Sequence, residues 1–223
     1  MKNFIHDYYG KYMVLRSAGF DVNVPLFLLK SAYYHLFSKN ILAHHNTTIL
    51  GIRRIETDGW LYVGISPSGY LNKHDRTFLN VRGKLVIQGT VSIYKGCRIF
   101  VAEGAVCTLK SCYITGLANL FVGHSLEIGK GSLIGWGSQI LDHDAHSISY
   151  EGRQNRDPAI VIADHVWIGN HVYILKGVHI GHHSVIAANS VVTRSFEENN
   201  VLIAGNPAQI IIRRGIEWGV EWR

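Results

Sequence analysis

The sequence predicts a β-solenoid of triangular coils, and three observations carry that prediction. Between Ile162 and Val192 every sixth residue is aliphatic: Ile162, Ile168, Ile174, Ile180, Ile186 and Val192. Gly or Ala follows four of the first five (Ala163, Gly169, Gly181, Ala187), with Leu175 the exception. The same frame runs upstream through Val122, Ile128, Ile134 and Ile140, with Gly123, Gly129 and Gly135 behind the first three. A period of six matches neither the 3.6 of a helix nor the alternation of a simple strand. It fits a unit of one short strand plus a corner, three units closing each coil. The aliphatic residue is expected to point inward and stack on its equivalents, and the small residue after it to let the corner turn tightly. Val166, Val172, Val178, Ser184 and Ser190 fill the position two before each next aliphatic.

Residues 1–47 do not carry the repeat and form an extension. Within it, Pro25 to Asn40 reads as a helix with Pro25 in its first turn and apolar side chains over much of its surface. Two roles fit it. It caps the open first coil, as solenoids require, or it makes peripheral membrane or partner contact, since Lys30 and Lys39 flank aromatic residues. The β-helix domain is expected over 48–207. Its early part is ragged: Leu85–Thr90, Ile93–Arg98 and Val101–Val106 look like imperfect coils, and Asp58-Gly59 and Ser66-Pro67-Ser68-Gly69 mark turns. A tail, 208–223, is expected to add a strand and helix along the outside.

Between Ile140 and Ile162 the frame breaks, because 22 residues is not a multiple of six. An excursion over 141–161 follows, and excursions from rigid scaffolds are where chemistry concentrates. This one holds Asp142, His143, Asp144 and His146. A neutral imidazole there can take a proton from a weak nucleophile near working pH, and a carboxylate on its other nitrogen would fix the tautomer.

Composition narrows the class. The chain has 223 residues, formal net charge +6, four prolines and three cysteines without CxxC spacing. These totals argue for an ordered domain with reduced thiols, hence a cytoplasmic protein. No apolar run reaches the roughly 18–20 residues of a bilayer span, and the opening residues do not read as a signal peptide. The positive balance suits an anionic partner such as a phosphorylated cofactor, an acidic saccharide or an anionic membrane surface. No basic run interleaved with aromatics is present, so nucleic acid is not expected.

The hexads, Asp164-His-Val-Trp-Ile-Gly169, Leu175-Lys-Gly-Val-His-Ile-Gly181, Val191-Val-Thr-Arg194 and Ala204-Gly-Asn-Pro-Ala208 together resemble the hexapeptide-repeat acyltransferases. Within them the chain is similar to the sugar O-acetyltransferases of bacterial surface-polysaccharide pathways, relatives of the maltose and galactoside enzymes. The resemblance implies an all-β, left-handed parallel β-helix with an N-terminal helical cap and a short C-terminal extension. It also implies a homotrimer with active sites between subunits, acetyl-coenzyme A as co-substrate, a saccharide acceptor and no metal. Family members carry a catalytic histidine on the excursion. Counting forward from the coil Ile134–Ser138, an Asp-x-Asp-x-His-x-Ile pattern falls on Asp142, Asp144, His146 and Ile148; counting back from Trp167 selects His143. His146 is favoured, with His143 second and Asp142 or Asp144 as the orienting carboxylate. By the same resemblance Trp167 flanks the thioester, Asn170 and Ala188 offer contacts along the pantetheine arm, and Thr193, Arg194 and Arg213 (or Arg214) serve the nucleotide.

Other readings use the same residues. N-acetylation of an amino sugar or an antibiotic needs the same base. A γ-type carbonic anhydrase shares the β-helix and would use three converging histidines for zinc; the chain has 13, but His165, His171, His179, His182 and His183 are placed by the frame mostly at corners or outer faces. A non-catalytic scaffold leaves the Asp-His-Asp-Ala-His stretch without a purpose.

Overall fold

The computed structural model describes residues 23–37, 39–65, 72, 74–147, 149, 151–152 and 157–219. Helix α1 (Val24–His35) precedes strands that wind through three sheets. The nine-stranded sheet contains β1 (Ile41–Ala43), β4 (Trp60–Val63), β7 (Thr90–Ile93), β10 (Tyr113–Ile114), β13 (Leu133–Ile134), β16 (Trp167–Ile168), β19 (Val185–Ile186), β21 (Leu202–Gly205) and β22 (Ala208–Ile212). The seven-stranded sheet contains β2 (Thr47–Leu50), β5 (Thr77–Val81), β8 (Arg98–Val101), β11 (Asn119–Val122), β14 (Gln139–Leu141), β17 (Tyr173–Leu175) and β20 (Val191–Val192). The six-stranded sheet contains β3 (Ile55–Thr57), β6 (Lys84–Gln88), β9 (Val106–Lys110), β12 (Ser125–Ile128), β15 (Ile160–Ile162) and β18 (His179–Ile180). Through β20, each strand pairs in parallel with the strand three places on, which is the pairing of a three-sided β-helix. Its hand is left, against the usual right-handed crossover of parallel strands.

Register accounts for both the clean and the ragged parts of the repeat. Ile162 pairs with Ile180, Ile168 with Ile186 and Ile174 with Val192, each 18 residues on. Further upstream the step lengthens, to 20 from Ile114 to Ile134 and 21 from Ile99 to Leu120, because corners carry extra residues. From Leu61 to Val91 it is 30, so the chain count between β4 and β5 exceeds that of a regular coil. The turn expected at Ser66–Gly69 lies outside the described residues. From Ile128 to Ile162 the step is 34, one regular coil plus a 16-residue insertion. The inward aliphatics Ile128, Ile134, Ile140, Ile162, Ile168 and Ile174 are each no more than 1% exposed and form one continuous core.

The glycine after the aliphatic has a different job from the one expected. It does not adopt the left-handed backbone; that conformation falls two residues later, at His165, His171, Gly177, His183 and Asn189, with φ of 54° to 72°. Gly169 is needed for close approach, since a Cβ there would stand 2.7 Å from the Ala188 nitrogen in the next coil. Histidine and asparagine tolerate positive φ better than most residues, so three of the histidines are corner residues. Buried Ser132 ties coils together, its Oγ donating to the Ala163 carbonyl at 2.9 Å and accepting from the Val166 N–H at 2.9 Å. Cys97, Cys107 and Cys112 are free and buried, and burial pushes the Cys97 and Cys112 thiols up to about 12.

Helix α1 closes the first coil. Asn23 caps it through Oδ1, and Phe27, Ser31 and Tyr34, spaced i, i+4, i+7, are buried toward the strands. Lys30 Nζ donates to the carbonyls of His44, His45 and Thr47. Burial lowers its pKa. The first strand therefore begins at Ile41, ahead of the boundary expected at residue 48. At the other end, β22 returns antiparallel on β21, and 213–219 continue without helix to Trp218. Trp218 stacks on His165 at 4.2 Å and donates Nε1–H to the His165 carbonyl at 2.9 Å.

Candidate active site

The excursion leaves the seven-stranded sheet after Leu141, at the edge facing the six-stranded sheet. Its first residue is structural. Asp142 is 1% exposed, and its two carboxylate oxygens accept the backbone N–H groups of Gly123, His124 and Ser125 (2.8 and 2.7 Å for the latter two). It holds the corner one coil below. Asp144 is turned outward and pairs with Lys176. Lys176 follows Leu175, the one position in the clean repeat where the small residue is missing. That irregularity is the only sequence signal for it.

The two histidines differ in which ring nitrogen is engaged. His143 Nδ1 accepts the Ala145 N–H at 2.8 Å, helped by the left-handed Ala145 (φ 60°). A neutral ring with Nδ1 so occupied carries its proton on Nε2 and has no free lone pair. His143 also stacks on Phe121, with centroids 6.2 Å apart, and lies 5.6 Å from His124. His146 Nδ1 lies 3.2 Å from the Asp144 carbonyl oxygen. A carbonyl only accepts, so Nδ1 bears the proton and Nε2 keeps its lone pair on an exposed ring. The orienting group is thus a backbone carbonyl. Among the described hydrogen bonds and ion pairs, neither Asp142 nor Asp144 reaches a histidine ring through its carboxylate. Ile148 lies outside the described residues.

The expected coenzyme positions fall at separate places. Trp167, 41% exposed, faces outward from β16, its ring 6.0 Å from that of Trp218. Asn170 and Ala188 occupy successive coils at the corner between the nine- and seven-stranded sheets, and Asn170 Oδ1 accepts the Trp136 N–H at 3.0 Å. Thr193 and Arg194 follow β20 at the opposite edge of the seven-stranded sheet, two coils beyond the excursion. Arg194 donates to Gln209 and lies over the Phe196 ring at 5.1 Å. Arg213, largely exposed, sits 3.6 Å from Glu198, and Arg214 is exposed. One chain therefore places His146 with Arg194 along one edge, and Asn170 with Ala188 along the other. Among the described residues, no three His, Cys, Asp or Glu side chains converge as for a metal ion.

A β-helix of this repeat with a histidine loop thrown from one sheet defines a transferase of the hexapeptide class. The family model for the bacterial transferase hexapeptide (six repeats) matches residues 159–194. A 24.8 kDa uncharacterized protein from the cps region of Klebsiella pneumoniae is 37% identical over 185 residues, covering 82% of this chain and 83% of that one. The chain belongs to the hexapeptide-repeat transferase family. A putative lipopolysaccharide biosynthesis O-acetyl transferase, WbbJ of Escherichia coli K12, is 39% identical over 98 residues, 39% of this chain and 50% of that protein. The chain thus spans about half the length of that relative. Among solved structures, the polysialic acid-specific acetyltransferase NeuO has the same fold, with a TM-score of 0.50 at 20% identity over 82% of this chain and 81% of NeuO.

Proposed function

We propose that the protein is an acetyl-coenzyme A-dependent O-acetyltransferase that modifies a saccharide hydroxyl in surface-polysaccharide assembly. The observation that carries the reading is His146, whose Nδ1 contact with the Asp144 carbonyl leaves Nε2 free on a loop anchored at its root by Asp142. Family membership supports acyl transfer. The Klebsiella relative's cps origin and the name of the E. coli relative support a surface glycan as the target.

In this mechanism His146 Nε2 takes the proton of the sugar hydroxyl as its oxygen attacks the thioester carbonyl. The tetrahedral intermediate collapses with cleavage of the C–S bond, and the imidazolium returns the proton to the departing sulfur. The products are an O-acetyl ester and free coenzyme A. Trp167, Asn170 and Ala188 line the thioester and pantetheine arm, and Arg194 and Arg213 meet phosphates, for which guanidinium is well suited. Because His146 and Arg194 lie along one edge of the seven-stranded sheet and Asn170 and Ala188 along the other, the site is completed by a second copy in a homotrimer.

The test is release of coenzyme A and acetyl-sugar formation with His146→Ala and His143→Ala. His146→Ala should lower kcat by about a hundredfold or more, while His143→Ala keeps most of the rate. Full transfer rates in both variants would refute the loop as the catalytic centre, and a loss confined to His143→Ala would move the base to that ring.

A further inference from the structure

The sheet from which the loop springs carries an unassigned row of side chains that runs into it. Outward residues of the seven-stranded sheet stack in register, with Phe100 of β8 beside Phe121 of β11 and Phe121 beside Leu141 of β14. The two phenyl rings lie 5.1 Å apart at 41°, and both are half-buried. Below them the exposed Arg82, just past β5, lies over the Phe100 ring at 5.7 Å. Above them the His143 ring stacks on Phe121 at 6.2 Å and 25°. The order along the axis is Arg82, Phe100, Phe121, His143, ending three residues from His146.

The chemistry of the row is specific. Half-exposed aromatic rings in a row offer π surface to the apolar C–H face of a pyranose. None of the described salt bridges uses Arg82. A guanidinium held against a ring presents its edge for bidentate binding of a carboxylate. Neighbouring coils stand roughly 4.8 Å apart, so three steps from the coil of Arg82 to that of the loop span about 14 Å. That is longer than one sugar ring. We infer that Phe121, Phe100 and Arg82 form an acceptor track, which holds an acidic oligosaccharide chain with one residue at the loop and a more distant carboxylate on Arg82. The inference rests on the acetyltransferase reading and adds to it the class of acceptor: a polyanionic glycan, not a free neutral sugar.

The experiment measures steady-state acetylation of acidic oligosaccharides (oligosialate, oligogalacturonate and hyaluronan fragments) alongside neutral malto-oligosaccharides of equal length. Wild type should prefer an acidic chain over its own monomer. Arg82→Gln and Phe100→Ala should raise KM for that chain about tenfold with little change in kcat, and Arg82→Lys should recover part of the loss. Both variants should retain the wild-type upward melting shift with acetyl-coenzyme A. Equal KM values in wild type and Arg82→Gln, or acceptance of neutral chains alone, would overturn the track. So would a fall in molecular mass of Phe100→Ala by light scattering, which would make the row a subunit contact. Failure of acetyl-coenzyme A to shift the wild-type melt is a separate result and strikes the acetyltransferase reading itself.

Discussion

Asp142 and His146 sit four residues apart on one loop and act in different ways. The Asp142 carboxylate accepts three backbone N–H groups while itself almost wholly buried, so its removal takes the shared acceptor from three donors at a part-buried corner. Losing three hydrogen bonds to one charged acceptor there costs on the order of 3 kcal/mol. Asp142→Ala should therefore lower the urea midpoint in the absence of any substrate. His146→Ala, an exposed side chain with one hydrogen bond, should leave that midpoint within experimental error. An unchanged midpoint in Asp142→Ala would return that carboxylate to the list of catalytic candidates. The residue scale also shows what spacing conceals. Both aspartates adjoin His143 and lie within four residues of His146, and nothing in the residue string says that one faces a corner and the other Lys176. Nor does it separate the ring whose Nδ1 accepts from the ring whose Nδ1 donates, because that depends on the turn made by Ala145 at φ 60°.

At the level of elements, the repeat was legible wherever corners have a fixed length. From Ile128 to Val192, outside the excursion, the six-residue frame predicts the inward aliphatic side chains, since a narrow prism is filled mostly by Ile, Val and Leu with a few small serines. Before that, corners gain residues and the frame slips, so strands β2 to β9 were visible only as a tendency. The extra residues between β4 and β5 were not legible because no clean coil precedes them to show a break. The corner glycines were placed correctly but for the wrong reason, as close approach and left-handed backbone fall on different residues. The cap helix was half legible: its apolar side chains were plain, but which face meets the strands was not. Phe27, Ser31 and Tyr34 are buried, whereas Leu26, Leu29, Tyr33 and Leu36 are 45–82% exposed. Lys30, read as a flanking charge, instead ties the helix to three carbonyls of the first coil. Lys30→Met should keep the stem and remove the donors, destabilising by about 1–3 kcal/mol. Differential scanning calorimetry would show the loss as a lower melting temperature. No change would mean that water replaces the ammonium and that the cap is held by Phe27 and Tyr34 alone.

For the whole molecule the proposed function turns on the separation of the proposed base from the proposed coenzyme positions. His146 leaves one edge of the seven-stranded sheet and Asn170 and Ala188 stand at the other, with about six residues of extended chain between the edges. At roughly 3.3 Å per residue that separation approaches 20 Å, too far for one base and one thioester to meet within a chain whose strands are fixed in register. In a ring of identical subunits the same two edges face each other across every interface, because a heterologous contact joins unlike patches of neighbouring copies. Subunit mixing tests this directly. His146→Ala removes the base, and Ala188→Trp fills the opposite corner, so each variant alone should be inactive. When the two are unfolded together and reassembled in equal amounts, a site built from the loop of one chain and the corner of the next is intact in roughly a quarter of interfaces. About that fraction of wild-type activity should return, in particles whose mass by light scattering is that of a trimer. If the site were contained in one chain, no mixture could restore it, since every chain would carry one defect. A mixture that stays inactive while the mass remains trimeric would therefore reject the shared site and require the loop to cross the sheet of its own subunit.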